Sequence, residues 1–286
     1  MESWKLLTQE FDHRIHKNLK VQHLAAQYIS LTGRYLLPEK EDKSNITMQF
    51  IPGKDLLLGR QHPDGWLVSL LLKDLVVQVR NDNMTVLGEV PLEGKTFPEA
   101  LIEFKKELKN AGADVSLLKA EQPYELPMDS LEEGMFFSTG AEEAVMENIK
   151  YRHNANAVLN ELRTGYAGAC PVYIWPNHFD TGFTFPIEHN REGKETKTLG
   201  MGWAIPDDIV DEPYYYLSFL SDSAIDEDTV PGNLAAGRWM MPEWNGAVLK
   251  LSEVVADKNA EVQFQMVKTF FESGAQQLID YFKVSH

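Results

Sequence analysis

An α+β fold is the expectation for this chain, specifically two similar units of helix, antiparallel sheet and helix packed together. Two observations predict it. Apolar residues recur at three- and four-residue steps in long segments near 11–36, 97–111, 141–163 and toward the C-terminus, the period of helices burying one stripe. Between them lie short runs rich in Ile, Leu, Val and aromatic residues, separated by Gly, Asn, Asp and Pro, as hairpin-connected strands require.

In the first helix Val21, Leu24, Tyr28, Leu31 and Tyr35 form the apolar stripe, and Gly33 is expected to end or bend it. Strands follow at 46–51, 65–72, 75–80 and 84–90. Asn81-Asp82-Asn83 reads as the turn of the last hairpin, because Asn and Asp tolerate left-handed backbone angles. Thr96-Phe97-Pro98-Glu99 is a capping box, in which Thr96 caps the second helix and Glu99 reaches back to the cap amide. Phe97, Leu101, Phe104 and Leu108 continue on one face, Gly112 stops the helix, and 114–118 is expected to return as a strand.

The Pro- and Gly-containing stretch around 127–140 reads as a linker between an N-terminal unit, 1–126, and a C-terminal unit, 141–286. The second unit repeats the order: a helix at 141–163, strands near 172–175, 179–185, 198–205, 214–220 and 247–251, then a last helix bearing Phe264, Val267, Phe271, Leu278 and Phe282. The repetition is one of element order and not of residue identity. A groove between two such units is the natural place for a ligand.

Composition restricts function. The 286 residues are 43% apolar and carry 43 acids against 27 bases, a net charge of -16. That field opposes a phosphate backbone or an anionic membrane surface, so neither nucleic acid nor membrane is an expected partner. Cys170 is the only cysteine, which excludes an intrachain disulfide and suits a reducing cytoplasm. The first residues show no signal-peptide pattern, and the longest apolar stretch, 66–79, is interrupted by Lys73-Asp74, so no membrane span is expected.

The chemistry-bearing residues concentrate at 171–220. His178 and Asp180 alternate by two, which on a strand places both side chains on one face. Such a pair can act as a base held in one tautomer, or join Glu188 or His189 around a metal; it can equally close a strand end. Pro176 marks an edge or bulge beside them. Tyr214, Tyr215 and Tyr216 should alternate in facing, Tyr214 with Tyr216 and Tyr215 opposite. With Trp175 and Trp203 they form either aromatic walls for a flat ligand or core. On the first helix His13, His16, Lys20, His23 and Gln27 make a polar stripe, of which His23 and Gln27 are the members expected to turn inward. Cys170 has no neighbouring cation to activate it. The nucleophile-elbow, phosphate-loop, dinucleotide and zinc-protease signatures are missing.

Together these motifs resemble a family of uncharacterised bacterial proteins of similar length. Its pattern has an L-H-x-x-x-Q helix, matched by His23 and Gln27, and a P-x-E, matched by Pro123-Tyr124-Glu125. A P-V-x-x-x-W-x-x-F-D-like strand corresponds to Pro171-Val172 through Phe179-Asp180, and E-P-x-x-Y to Glu212-Pro213 with Tyr216. The resemblance covers nearly the whole chain. It implies the fold and the site positions but no reaction. The chain departs from the pattern near Asn45, where family members carry N-H-W-W and this sequence reads Asn-Ile-Thr-Met, which implies an altered pocket.

Three functions follow as expectations. The first is binding of a small molecule in an aromatic cleft between the halves, lined by Trp175, Trp203 and Tyr216 with His23, Gln27, Glu125 and Asp180 as polar groups. The second is an enzyme with Asp180 or Glu125 as base and His178 polarising the substrate or holding a metal. The third is a noncatalytic interaction protein in which the motif residues pack. Neither a cofactor nor an oligomeric state can be read from the residues.

Overall fold

The computed structural model describes residues 4–126, 135–221 and 232–284. The fold is α+β, with five α-helices and two antiparallel sheets among the described residues. The chain divides into two compact units, one comprising Asp12–Ile149 and Tyr173–Phe179, the other Met1–Phe11, Lys150–Val172 and Asp180–His286. Most of the expected linker, 127–134, lies outside the described residues.

The first unit begins with α1 (His13–Leu36), capped by Asp12, whose carboxylate accepts from the amides of Arg14 and Ile15. Five strands follow as a meander: β1 (Gln49–Ile51), β2 (Leu56–Leu58), β3 (Trp66–Leu71), β4 (Val76–Asn81) and β5 (Val86–Pro91), paired in that order. Then comes α2 (Phe97–Asn110). Its capping box is complete: the Glu99 carboxylate accepts from the Thr96 amide at 2.9 Å, and the Thr96 hydroxyl oxygen accepts from the Glu99 amide at 3.5 Å. Gly112, at φ +94°, ends the helix. Tyr28 of α1 is the hub of the core, stacking on Phe97 at 4.6 Å and meeting Phe104 edge-on at 5.4 Å, while its hydroxyl donates to the Phe97 carbonyl.

Five details of the first unit depart from the sequence expectation. Gly33 does not end α1, which runs on to Leu36; it lets the helix touch the 3-10 turn at Ser44–Ile46, and a Cβ there would lie 2.2 Å from the Asn45 carbonyl oxygen. That turn consumes the start of the strand expected at 46–51. β2 was not anticipated, because its Leu-Leu-Leu run has neither alternation nor β-branching. No strand forms at 114–118: the Asp114 carboxylate accepts from the Ser116 amide at 2.9 Å, a local bond that competes with a ladder. In the β4–β5 hairpin the turn falls where expected, but the left-handed residue is Met84, at φ 63°, held by its amide donating to the Asn81 carbonyl.

α3 (Glu142–Arg163) contributes residues to both units, and β6 (Tyr173–Ile174) belongs to the first, where Ile174 bridges Met48. In the second unit β7 (Thr181–His189), β8 (Glu195–Ala204) and β9 (Tyr214–Ser221) form a meander, next to which lie β11 (Gly246–Lys250) and then β10 (Arg238–Trp239). The second unit is completed by α4 (Leu251–Val255) and α5 (Ala260–Val284). The tyrosines alternate as expected. Tyr215 meets Phe271 of α5 edge-on, and Tyr214 and Tyr216 face the opposite side, where Ala204, Val210 and Val248 form a small core.

Gly33→Ala tests the close approach. An Ala at an ordinary helix position would stabilise by roughly 0.5–1 kcal/mol. Against the Asn45–Ile46 backbone it should instead lower stability by about 1–3 kcal/mol, read as a reduced urea midpoint.

Candidate functional site

The inward turn of His23 and Gln27 organises the first unit. Along the polar stripe exposure falls from His13, at the solvent, through partly buried His16 and Lys20, to His23 and Gln27, which are fully covered. A primary amide has two donors and two acceptor positions, and burial is costly unless they are matched. For Gln27 all four are. Its Nε2 donates to the Pro176 carbonyl at 2.9 Å and the His23 carbonyl at 3.1 Å. Its Oε1 accepts from Gln122 Nε2 and from the Tyr124 hydroxyl, each at 2.9 Å. His23 Nε2 reaches the same Pro176 carbonyl at 2.7 Å. A carbonyl only accepts, so this nitrogen carries the proton, and the ring stacks on Phe179 at 5.1 Å. Two residues of one helix turn thereby pin the 122–124 segment and the turn that follows β6.

A cavity of about 500 Å³ lies in this unit, lined by Tyr35, Tyr124, Trp175, Arg34, Asn45 and Asn177 among others. Burial pushes the Tyr124 phenol up to about 12, so it remains a neutral donor across the physiological range. The Ser30 hydroxyl lies 3.0 Å from it. The Arg34 guanidinium sits over the Tyr35 ring, 5.3 Å from its centre. Trp175 meets Tyr173 edge-on at 6.0 Å, and no ring contact joins Tyr35, Tyr124 and Trp175 to one another among the described residues.

Of the expected site residues, His23, Gln27 and Trp175 belong to this assembly, Trp175 as a half-buried wall. Glu125 follows Tyr124 but is exposed. His178 is also exposed, in the turn after Pro176, and β7 starts only at Thr181. The strand face that was to carry His178 and Asp180 together therefore does not form, because Phe179 between them adopts the left-handed conformation, φ 55°. Sequence reasoning missed Arg34, Tyr35 and Tyr124 as cavity residues. Tyr124 stood inside the P-x-E motif, between the residues that had been singled out.

The second unit holds Asp180, Trp203 and Tyr216. The register places Gly182, Gly202 and Tyr216 in one row across β7, β8 and β9. The Tyr216 ring lies across those glycines: a Cβ on Gly202 would sit 2.3 Å from the phenol carbon Cζ. The ring thus reaches the start of β7, where its hydroxyl donates to Asp180 Oδ2 at 2.5 Å. On the opposite face Trp203 is fully buried, beneath the guanidinium of Arg152 at 4.9 Å. Arg152 donates to the Thr181 hydroxyl at 2.6 Å. Burial pulls its guanidinium down to about 9, against the opposing charge of Asp180. Trp203 is therefore core and not a cleft wall. Among the described residues no three His, Cys, Asp or Glu side chains gather as a metal site requires.

Two tyrosines one residue apart should respond oppositely to loss of the hydroxyl. Tyr216→Phe removes a donor to a buried carboxylate and should cost about 1–3 kcal/mol. The Tyr215 hydroxyl is buried with no hydrogen-bond partner among the described residues, so Tyr215→Phe should leave the urea midpoint unchanged or raise it.

The buried phenols also set an alkaline limit. Burial raises Tyr28, Tyr214, Tyr215 and Tyr216 above their usual value. Folded, they keep their protons where the unfolded chain ionises, so stability is intact below about pH 10 and falls above it, by roughly 1.4 kcal/mol per pH unit for each such tyrosine. Denaturation midpoints measured from pH 8 to 11 should fall steeply past 10, and less steeply in Tyr215→Phe.

Compared with protein-family models, curated proteins and solved structures, the chain finds no match.

Proposed function

We propose that the protein binds a small, flat, polar-edged organic molecule in the cavity bounded by Tyr35, Tyr124 and Trp175. The observation that carries this reading is the cavity's composition: about 500 Å³, three aromatic side chains with no ring contact among themselves, and amide, hydroxyl, guanidinium, carboxylate and ammonium groups at the edges. Ligand sites commonly have this form, mostly apolar walls with a few fixed polar groups. Gln27 supports it by immobilising Tyr124, which cannot turn away from the cavity without leaving a buried amide unmatched. The site is assigned to a single unit, with His23 and Gln27 as its supports and Trp175 as a wall.

Asn45 and Ile46 line this cavity, where the N-H of the resembled family's N-H-W-W falls; Ile46 stands in place of the His, while the two tryptophan positions fall on buried Thr47 and Met48. That coincidence supports a pocket shared in location and altered in what it accepts. The acidic balance and single cysteine support a cytoplasmic location. No helix among the described residues is long and apolar enough to cross a membrane.

The test is a thermal-shift and tryptophan-quenching screen with one- and two-ring aromatic acids, amides and nucleobases. At least one should raise the melting temperature and quench fluorescence, and Trp175→Ala and Tyr124→Ala should each abolish both effects. Trp175→Ala itself should cost less than the roughly 3–5 kcal/mol of a core tryptophan, because the side chain is only partly buried. A hit that survives both substitutions, or a panel without any hit, would refute the assignment.

A further inference from the structure

Residues 4–7, in the second unit, are attached in an unusual way. They form no strand, and among the described residues they make no backbone-to-backbone hydrogen bond. Two buried side-chain amides hold them instead. Asn154 of α3 accepts from the Lys5 amide and donates to the Lys5 carbonyl, both at 2.7 Å. Gln263 of α5 does the same for Leu7, at 3.0 and 2.8 Å. Its Oε1 also accepts from the Trp4 indole at 3.0 Å. Both amides are fully buried.

The pattern is that of strand addition without a sheet. Residues i and i+2 each present N–H and C=O to one side, and each meets a matched donor and acceptor. Such contacts read the backbone and not the sequence. Sequence is read by the side chains between and beyond: Trp4 rests on Tyr215 at 6.4 Å and edge-on against Phe264 at 5.9 Å, and Leu7 is wholly buried while Lys5 points to solvent. The fit is incomplete, since the Tyr215 hydroxyl under Trp4 has no hydrogen-bond partner among the described residues.

We propose that the face formed by Asn154, Tyr215, Gln263 and Phe264 is a recognition site for an extended peptide with an aromatic residue three places before a leucine, occupied in cis by the chain's own residues 4–7. The segment is a resident ligand, and its departure opens the face to a partner's segment of the same pattern. Asn154 and Gln263 supply affinity through the backbone, and the Trp4 and Leu7 positions supply selectivity.

The experiment uses the full chain and a fluorescein-labelled peptide, Trp-Lys-Leu-Leu-Thr-Gln-Glu, followed by anisotropy. The double variant Trp4→Ala, Leu7→Ala vacates both anchors and should bind the peptide saturably. Wild type should bind it about a hundredfold more weakly, because the tethered copy competes at high effective concentration. Adding Gln263→Leu to the double variant, or replacing the peptide's Trp and second Leu by Ala, should abolish binding. Hydrogen exchange on the wild type keeps the proposal testable if the double variant does not fold. The Lys5 and Leu7 amides should exchange by local opening, at least about tenfold faster than amides at the centre of α5. A folded double variant that ignores the peptide, or Lys5 and Leu7 amides that exchange only with global unfolding, would overturn it.

Discussion

Buried side-chain amides that must be matched are the constraint on which both units depend. Sheets and helices satisfy their own backbones, but the segments joining them do not, and a buried carbonyl or amide without a partner is costly. Here Asn and Gln side chains on helices supply those partners. Gln27 ties α1 to Pro176, Gln122 and Tyr124. Asn45 donates to the Gly33 carbonyl and accepts from the Lys40 amide, and Asn148 donates to the Ile15 carbonyl. Asn154 and Gln263 do the equivalent work for residues 4–7. Gln27, Asn154 and Gln263 each sit on a helix and are directed at an irregular segment, whereas Asn45 and Asn148 reach backbone carbonyls of α1.

This explains which parts of the structure were legible in the sequence. The fold class, the α2 capping box and the alternation of Tyr214, Tyr215 and Tyr216 follow from local periodicity and local hydrogen bonding. The polar stripe of α1 resembles a solvated face by composition, and only its far end is buried. What separates His13 from Gln27 is the chain that arrives beside them from far along the sequence, and no local pattern encodes that arrival. The same reason hides the tie between Gln263 and Leu7, which are 256 positions apart.

The failures were local instead, and conformational. Gly33 looked like a helix breaker because glycine is a poor helix former, yet it is retained for a contact with Asn45 that needs the absence of a Cβ. His178 and Asp180 looked like one strand face because their spacing is two, and the left-handed Phe179 between them breaks that period. Spacing arguments hold only where the backbone is regular. The segment after Pro176 is where regularity was least to be expected, since proline cannot donate to a ladder.

A saturated amide also makes for a stiff wall. Tyr124 shares Gln27 with Gln122, the Pro176 carbonyl and its own helix, so rotating the phenol away would unmatch groups on separate stretches of chain. Trp175 stands directly before Pro176, whose carbonyl receives both Gln27 and His23. Two of the three aromatic walls are thereby fixed by a network that does not itself line the cavity. Preorganisation of this kind lowers the ordering cost of binding. It also gives a physical reason for a buried His and Gln one helical turn apart, where apolar residues would fill the same volume at less risk. Leucine at both positions would fill the core and release the 122–124 segment and the turn at Pro176 together, so what the polar pair contributes is position.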